Sequence, residues 1–135
     1  MTDARRVAIV HELDIVTARQ AGRELAAVLG FTTIEQTLIA TAISEVARNI
    51  VVYAHRGEIE LRTIVDGGGH AGIEVVARDR GPGIADVALA MRDGFSTGGS
   101  LGLGLPGARR LMDELAIVSE VGAGTTVTMT KWLRD

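Results

Sequence analysis

Two glycine clusters a short distance apart constrain this chain more than any other feature. The first is Asp79-Arg80-Gly81-Pro82-Gly83 and the second is Gly98-Gly99-Ser100-Leu101-Gly102-Leu103-Gly104-Leu105-Pro106-Gly107. Glycine opens backbone conformations closed to other residues and lets the main chain approach a ligand closely. The second cluster runs into Ala108-Arg109-Arg110-Leu111-Met112, which reads as an amphipathic helix. A glycine-rich loop at a helix N-terminus presents unpaired N–H groups where the helix dipole also favours negative charge, so it suits phosphate oxygens. A flexible linker is seldom threaded with Leu at alternate positions. Asp79 to Gly83 alone also fits a plain turn leaving a strand, with Asp bonding its own backbone and Gly taking positive φ. Together the clusters point to a nucleotide.

The rest of the composition narrows the setting. At 135 residues the simplest expectation is one domain spanning residues 1–135, burying on the order of two thirds of its unfolded surface. There are no cysteines, which excludes disulfides and thiolate sites and fits a reducing cytoplasm. No leader-like segment and no run of about 18 apolar residues is evident, so a cytoplasmic protein without membrane contact is expected. A net charge of −3 and 3% aromatic residues supply neither a basic stripe nor a stacking platform, which argues against nucleic acid.

Periodicity supplies the elements. Arg6 to His11 reads as an edge strand, and Leu13 to Leu29 has helical spacing before Gly30 stops it. Thr32 and Thr33, with Glu35 and Gln36 three residues on, signal a capping box for a helix from about Ile34 to Tyr53, ended by Gly57. Glu58 to Asp66 and Ile73 to Ala77 alternate as a hairpin across Gly67-Gly68-Gly69. A helix to about Leu115 precedes strands at Ala116 to Val121 and Thr125 to Lys131. The order β-α-α-β-β-α-α-β-β predicts an α+β two-layer sandwich, helices on one face of a mixed, mostly antiparallel sheet.

Glu45 and Asn49 lie four apart and project from one helical face beside the apolar Ala42, Val46, Ile50 and Val51. Taken alone, Glu45 would simply pair with Arg48 on a solvated surface. Beside two glycine clusters, a carboxylate base and an amide oxygen for Mg²⁺ are what phosphoryl transfer asks of a protein.

With these residues assembled, the chain resembles the GHKL ATP-binding superfamily, and within it the small bacterial serine kinases that regulate anti-sigma factors. Glu45 to Asn49 is similar to the family's N box, Asp79-x-Gly81-x-Gly83 to its G1 box, Gly98 to Gly107 to its G2 box, and Gly124-Thr125-Thr126 to its closing motif. The resemblance implies that Asn49 coordinates Mg²⁺ between the ATP phosphates and that Asp79 accepts the adenine amino hydrogen. Gly81 and Gly83 would let the chain close over the base, while Gly98, Gly99, Ser100, Leu101, Gly102, Leu103 and Gly104 form the phosphate loop. Thr125 or Thr126 would reach the adenine through water, and Glu45 would be the general base.

On length, a stand-alone kinase is expected rather than a histidine kinase or a gyrase-like, MutL-like or chaperone relative with additional domains. Leu105 to Glu114, Asp93-Gly94-Phe95-Ser96-Thr97 and Lys131-Trp132 look most like the RsbT-type switch kinases of the stressosome. That resemblance implies Ser/Thr phosphorylation of STAS-domain partners and, after release, activation of a PP2C-type phosphatase. The alternative within the family is an RsbW- or SpoIIAB-like anti-sigma factor kinase; the alternative of another class is a non-catalytic, ATP-dependent docking module. His11, His55 and His70 lack metal-ligand spacing and read as loop residues. Arg78, Arg80, Arg109 and Arg110 read as solvated by default, and Trp132 anchors the last strand or faces a partner.

Overall fold

The alternating segments around Gly67-Gly68-Gly69 become the middle of a five-stranded sheet. The computed structural model describes residues 4–83, 91 and 104–134. Its elements are β1 (Ala4–Ile9), α1 (Glu12–Leu29), α2 (Thr33–Asn49), a π-helical turn (Ile50–Ala54), β2 (Gly57–Val65), β3 (Ala71–Asp79), α3 (Gly104–Leu111), β4 (Glu114–Glu120) and β5 (Gly124–Trp132). The strand order is β1-β2-β3-β5-β4. The expected two-layer α+β sandwich is borne out. Its sheet, expected to be mixed and mostly antiparallel, is antiparallel in every described pairing. Of the two helices that the expected order puts between the hairpin and the last two strands, α3 is the one among the described residues.

Strand alternation sorts the side chains. Ile9, Ile59, Leu61, Ile73, Val75, Ala77, Val127 and Met129 point to one face and are buried against Ala18, Leu25, Ile39, Ile43 and Val46 of α1 and α2. The opposite face of β1 to β3 carries an ionic ladder in which Arg6 bridges Glu58 and Glu60, and Arg62 pairs with Glu74. The Arg6 guanidinium holds the Glu60 carboxyl below its usual range. Trp132 lies on this face across from Gly72, where a Cβ would stand 2.7 Å from the indole, so it anchors the last strand.

Both long helices begin where their sequence signals fall. In α2 the Thr32 hydroxyl accepts from Glu35 N at 3.1 Å and the Glu35 carboxylate accepts from Thr32 N at 2.9 Å, a reciprocal capping box. In α1 the Asp14 carboxylate turns back onto the N–H groups of His11 and Val10, which hold its pKa down. Thr32→Ala should lower stability by about 1 kcal/mol, read as a lower urea midpoint with an unchanged slope.

Several boundaries differ from the sequence reading: β1 runs Ala4–Ile9 rather than Arg6 to His11, His11 capping α1 instead, and β4 begins at Glu114 rather than Ala116. The α-helix expected to reach Tyr53 gives way at Ile50 to the π turn, which is closed by His55 at φ 71 rather than by Gly57. Gly57 instead begins β2 beside Asp79, where a Cβ would collide with the Arg78 carbonyl. The helix expected to reach Leu115 stops at Leu111, because Asp113 N–H bonds the Thr130 carbonyl and Lys131 Nζ caps the Leu111 carbonyl at 3.0 Å. Residues 33–54 are long and apolar enough, at mean hydropathy 1.2, to meet a membrane-span criterion. Half of that window is buried, so its hydropathy is accounted for by the core.

Candidate functional site

Glu45 lies in the last turns of α2, on the stripe that carries Ala42 and Val46 into the core, and only 9% of it is exposed. A carboxylate so placed needs donors. Arg48 Nη1 donates to Oε1 at 3.2 Å, and Gly104 N, at the start of α3, donates to Oε2 at 2.9 Å. The pairing with Arg48 exists as the plain sequence reading has it, but the carboxylate is buried rather than on a solvated surface. The Gly104 contact spans 59 residues and binds the N box to the end of the second glycine cluster. Gly104 takes φ 65 there.

Asn49 is half-buried at the junction between α2 and the π turn. A π turn inserted in a helix rotates the residues after it, and such turns recur at functional sites. Here it brings Ala54 against Gly81, whose missing Cβ would stand 2.6 Å from the Ala54 Cβ. The end of the N-box helix and the first glycine turn are thus in contact.

Asp79 closes β3, with Thr125 opposite it on β5. Its Oδ1 accepts from Gly81 N at 2.8 Å and from Thr125 N at 3.3 Å. The plain-turn reading of Asp79 to Gly83 is therefore realised as well: the Asp side chain bonds the backbone two residues on, and Gly83 takes φ 79. Gly83 sits so close to the Glu120 carbonyl that a Cβ would overlap it, and Gly122 N–H bonds the Pro82 carbonyl at 2.9 Å. The first glycine turn is locked to the β4–β5 turn.

Thr125 is buried on the helix-facing side, and its hydroxyl lies 2.8 Å from Ser119 Oγ of β4. Thr126 is not brought to the site, because strand alternation turns it to the opposite face, where it pairs in register with Arg78 and Val118. Ser119 escaped the sequence reading. Its signal is a hydroxyl at the core-facing position of a strand whose other core-facing residues, Leu115 and Ile117, are apolar. Gly98, Gly99, Ser100, Leu101, Gly102 and Leu103, with Ser96 and Thr97, lie outside the described residues. Arg80 and Arg109 are exposed, and Arg78 faces Glu58 and Glu60 at 3.9 and 3.7 Å.

Among the described residues no three His, Cys, Asp or Glu side chains gather as a metal cage. That donor set suits Mg²⁺ all the same: this ion keeps waters and phosphate oxygens and takes one or two protein oxygens, which Asn49 can supply. A buried carboxylate, a neighbouring amide, a helix N-terminus and an Asp beneath a glycine turn make up the parts of a nucleotide site of the kind that transfers phosphate.

The chain belongs to the histidine kinase-like ATPase domain family, whose model matches residues 11–131. It is an RsbT-like serine/threonine protein kinase: the serine/threonine-protein kinase RsbT of Bacillus subtilis (strain 168) is 52% identical over 134 residues, 99% of this chain and 100% of the relative. The anti-sigma F factor of Thermoanaerobacter sp. (strain X514) is 36% identical, covering 86% of this chain and 83% of its own. Two solved structures share the fold. The RsbU and RsbW domains of a Mycobacterium tuberculosis protein superpose with TM-score 0.63 at 24% identity, covering all of this chain and 33% of that one. The mycobacterial sensor histidine kinase MprB superposes at 0.57 with 17% identity, over 96% of this chain and 97% of that one.

Proposed function

We propose that this kinase transfers the γ-phosphoryl group of Mg-ATP to a Ser or Thr of a STAS-domain partner and, once released from it, binds and activates a PP2C-type phosphatase. We place it in the cytoplasm, with residues 1–135 acting as one ATP-binding kinase domain. The observation that carries the reading is the Gly104 N–H to Glu45 hydrogen bond, which sets the candidate base against the end of the candidate phosphate loop.

Bound Mg-ATP supplies the transferable phosphoryl group and the metal that neutralises its charge. Asn49 would hold the metal through its amide oxygen, and Asp79 would accept the adenine amino hydrogen, its Oδ2 being the oxygen not engaged by Gly81 and Thr125. Thr125, whose hydroxyl is paired with Ser119 Oγ, would reach the adenine through a water. Glu45 accepts the proton of the substrate hydroxyl as that oxygen bonds the γ-phosphorus. The bond to the β–γ bridging oxygen breaks, leaving ADP and a phosphorylated partner.

Incubation with labelled ATP and a cognate STAS-domain protein tests the reading. Label on a partner Ser or Thr supports it; no transfer by folded, ATP-binding protein would make it a docking module. Asn49→Ala should weaken Mg-dependent ATP binding by about tenfold or more, the scale of one lost charge-assisted contact. The affinity without Mg²⁺ should change little, and isothermal titration with and without the metal reads both. Capture of a sigma factor instead of a STAS protein would favour the anti-sigma reading, which the anti-sigma F relative keeps open.

A further inference from the structure

Arg48 contributes little to folding as an ion pair. It lies one turn from Glu45 with 42% of its side chain exposed, and partly exposed pairs at this spacing contribute about 0–1 kcal/mol. Its effect falls on the carboxylate, which is 9% exposed and needs compensation for its charge. We infer that Arg48 is a positioning residue for phosphoryl transfer, holding the Glu45 carboxylate turned toward the end of the phosphate loop. The inference rests on the assignment of Glu45 as base.

Three features argue for this. First, the two carboxylate oxygens have different donors: Oε1 is held from Glu45's own helix and Oε2 from Gly104 across the site. Second, the i,i+3 relation within α2 fixes Arg48 against Glu45 whatever the glycine loop does. Gly104 N–H, in contrast, belongs to the cluster that would receive phosphate. Third, a carboxylate oxygen accepts more than one hydrogen bond, so Arg48 can stay in place while Glu45 takes a substrate proton. Arg48 also precedes Asn49 directly, placing base, positioning residue and metal ligand within five consecutive residues.

Arg48→Met keeps the aliphatic stem and removes the charge. In the labelled-ATP assay with the STAS-domain partner, kcat should fall between about tenfold and a hundredfold, the scale of a small misplacement of a reacting group. KM for ATP should stay near wild type, and the thermal midpoint should fall only modestly, because Gly104 N–H still donates to the buried carboxylate. Arg48→Lys should recover much of the rate, because the observed contact uses one guanidinium nitrogen and an ammonium can replace a single donor. A wild-type kcat in Arg48→Met overturns the inference, as does a rise in KM matching the fall in kcat, or a loss that Lys fails to restore. Glu45→Gln, assayed alongside, separates the two readings. If it is inactive while Arg48→Met is active, only the role of Arg48 fails; if it is active, the base assignment fails first.

Discussion

Glu45→Gln should lower phosphoryl transfer by about 10²–10⁴-fold, the range a positioned general base supplies. The substitution keeps the volume of a buried side chain, and its amide oxygen can still accept from Gly104 N–H. What it lacks is the capacity to take a proton from a substrate hydroxyl at neutral pH. ATP affinity should change little, since the hydrogen bond that ends the second glycine cluster survives. Glu45→Ala is the less selective test: it strips Gly104 N of its 2.9 Å acceptor, so it should weaken ATP binding as well as transfer. Single-turnover transfer to a STAS-domain partner, with ATP affinity by titration, reads both variants. A wild-type rate in Glu45→Gln would remove Glu45 as the base.

The contrast between these variants shows what a sequence can and cannot disclose about such a site. Glu45, Asn49 and Asp79 are legible because each belongs to a local pattern: two share a helical face and one opens a glycine turn. The capping box of Thr32 and Glu35, the stop at Gly30 and the alternating hairpin are local too, and the structure has them where the periodicity places them. What stays hidden is set by partners distant in sequence. The Glu45 to Gly104 contact joins residues 59 apart, and nothing in either neighbourhood specifies it. The end of α3 at Leu111 is decided by Thr130 and Lys131 of β5, against a helical periodicity that runs on to Leu115. Thr125 and Thr126 are equivalent in the sequence motif, and only the register of β5 against β3 separates them. The π turn after Asn49 replaces helix that composition would continue, because Ala54 has to meet Gly81.

Gly124→Ala should damage both the fold and the nucleotide site. Gly124 opens β5 at φ 107, and a Cβ there would overlap the Asp79 carbonyl oxygen and stand 2.8 Å from the Arg80 Cα. The obstacles are backbone atoms of the first glycine turn, so no rotamer change relieves them. Backbone strain at such a φ costs about 1–3 kcal/mol, and overpacking adds about another 1–3 kcal/mol. Gly122 provides the control. It lies in the same β4–β5 turn at φ 83, yet a Cβ would meet nothing within 4 Å, so Gly122→Ala should show the strain alone. The difference between the two variants in urea unfolding isolates the collision and should be at least about 1 kcal/mol. It should carry a functional signature too, because pushing β5 from Asp79 lengthens the 3.3 Å contact between Thr125 N and Oδ1. ATP binding should therefore weaken in Gly124→Ala and persist in Gly122→Ala. Equal losses in the two variants would mean that the close approach of β5 to Asp79 is not what shapes the candidate nucleotide site.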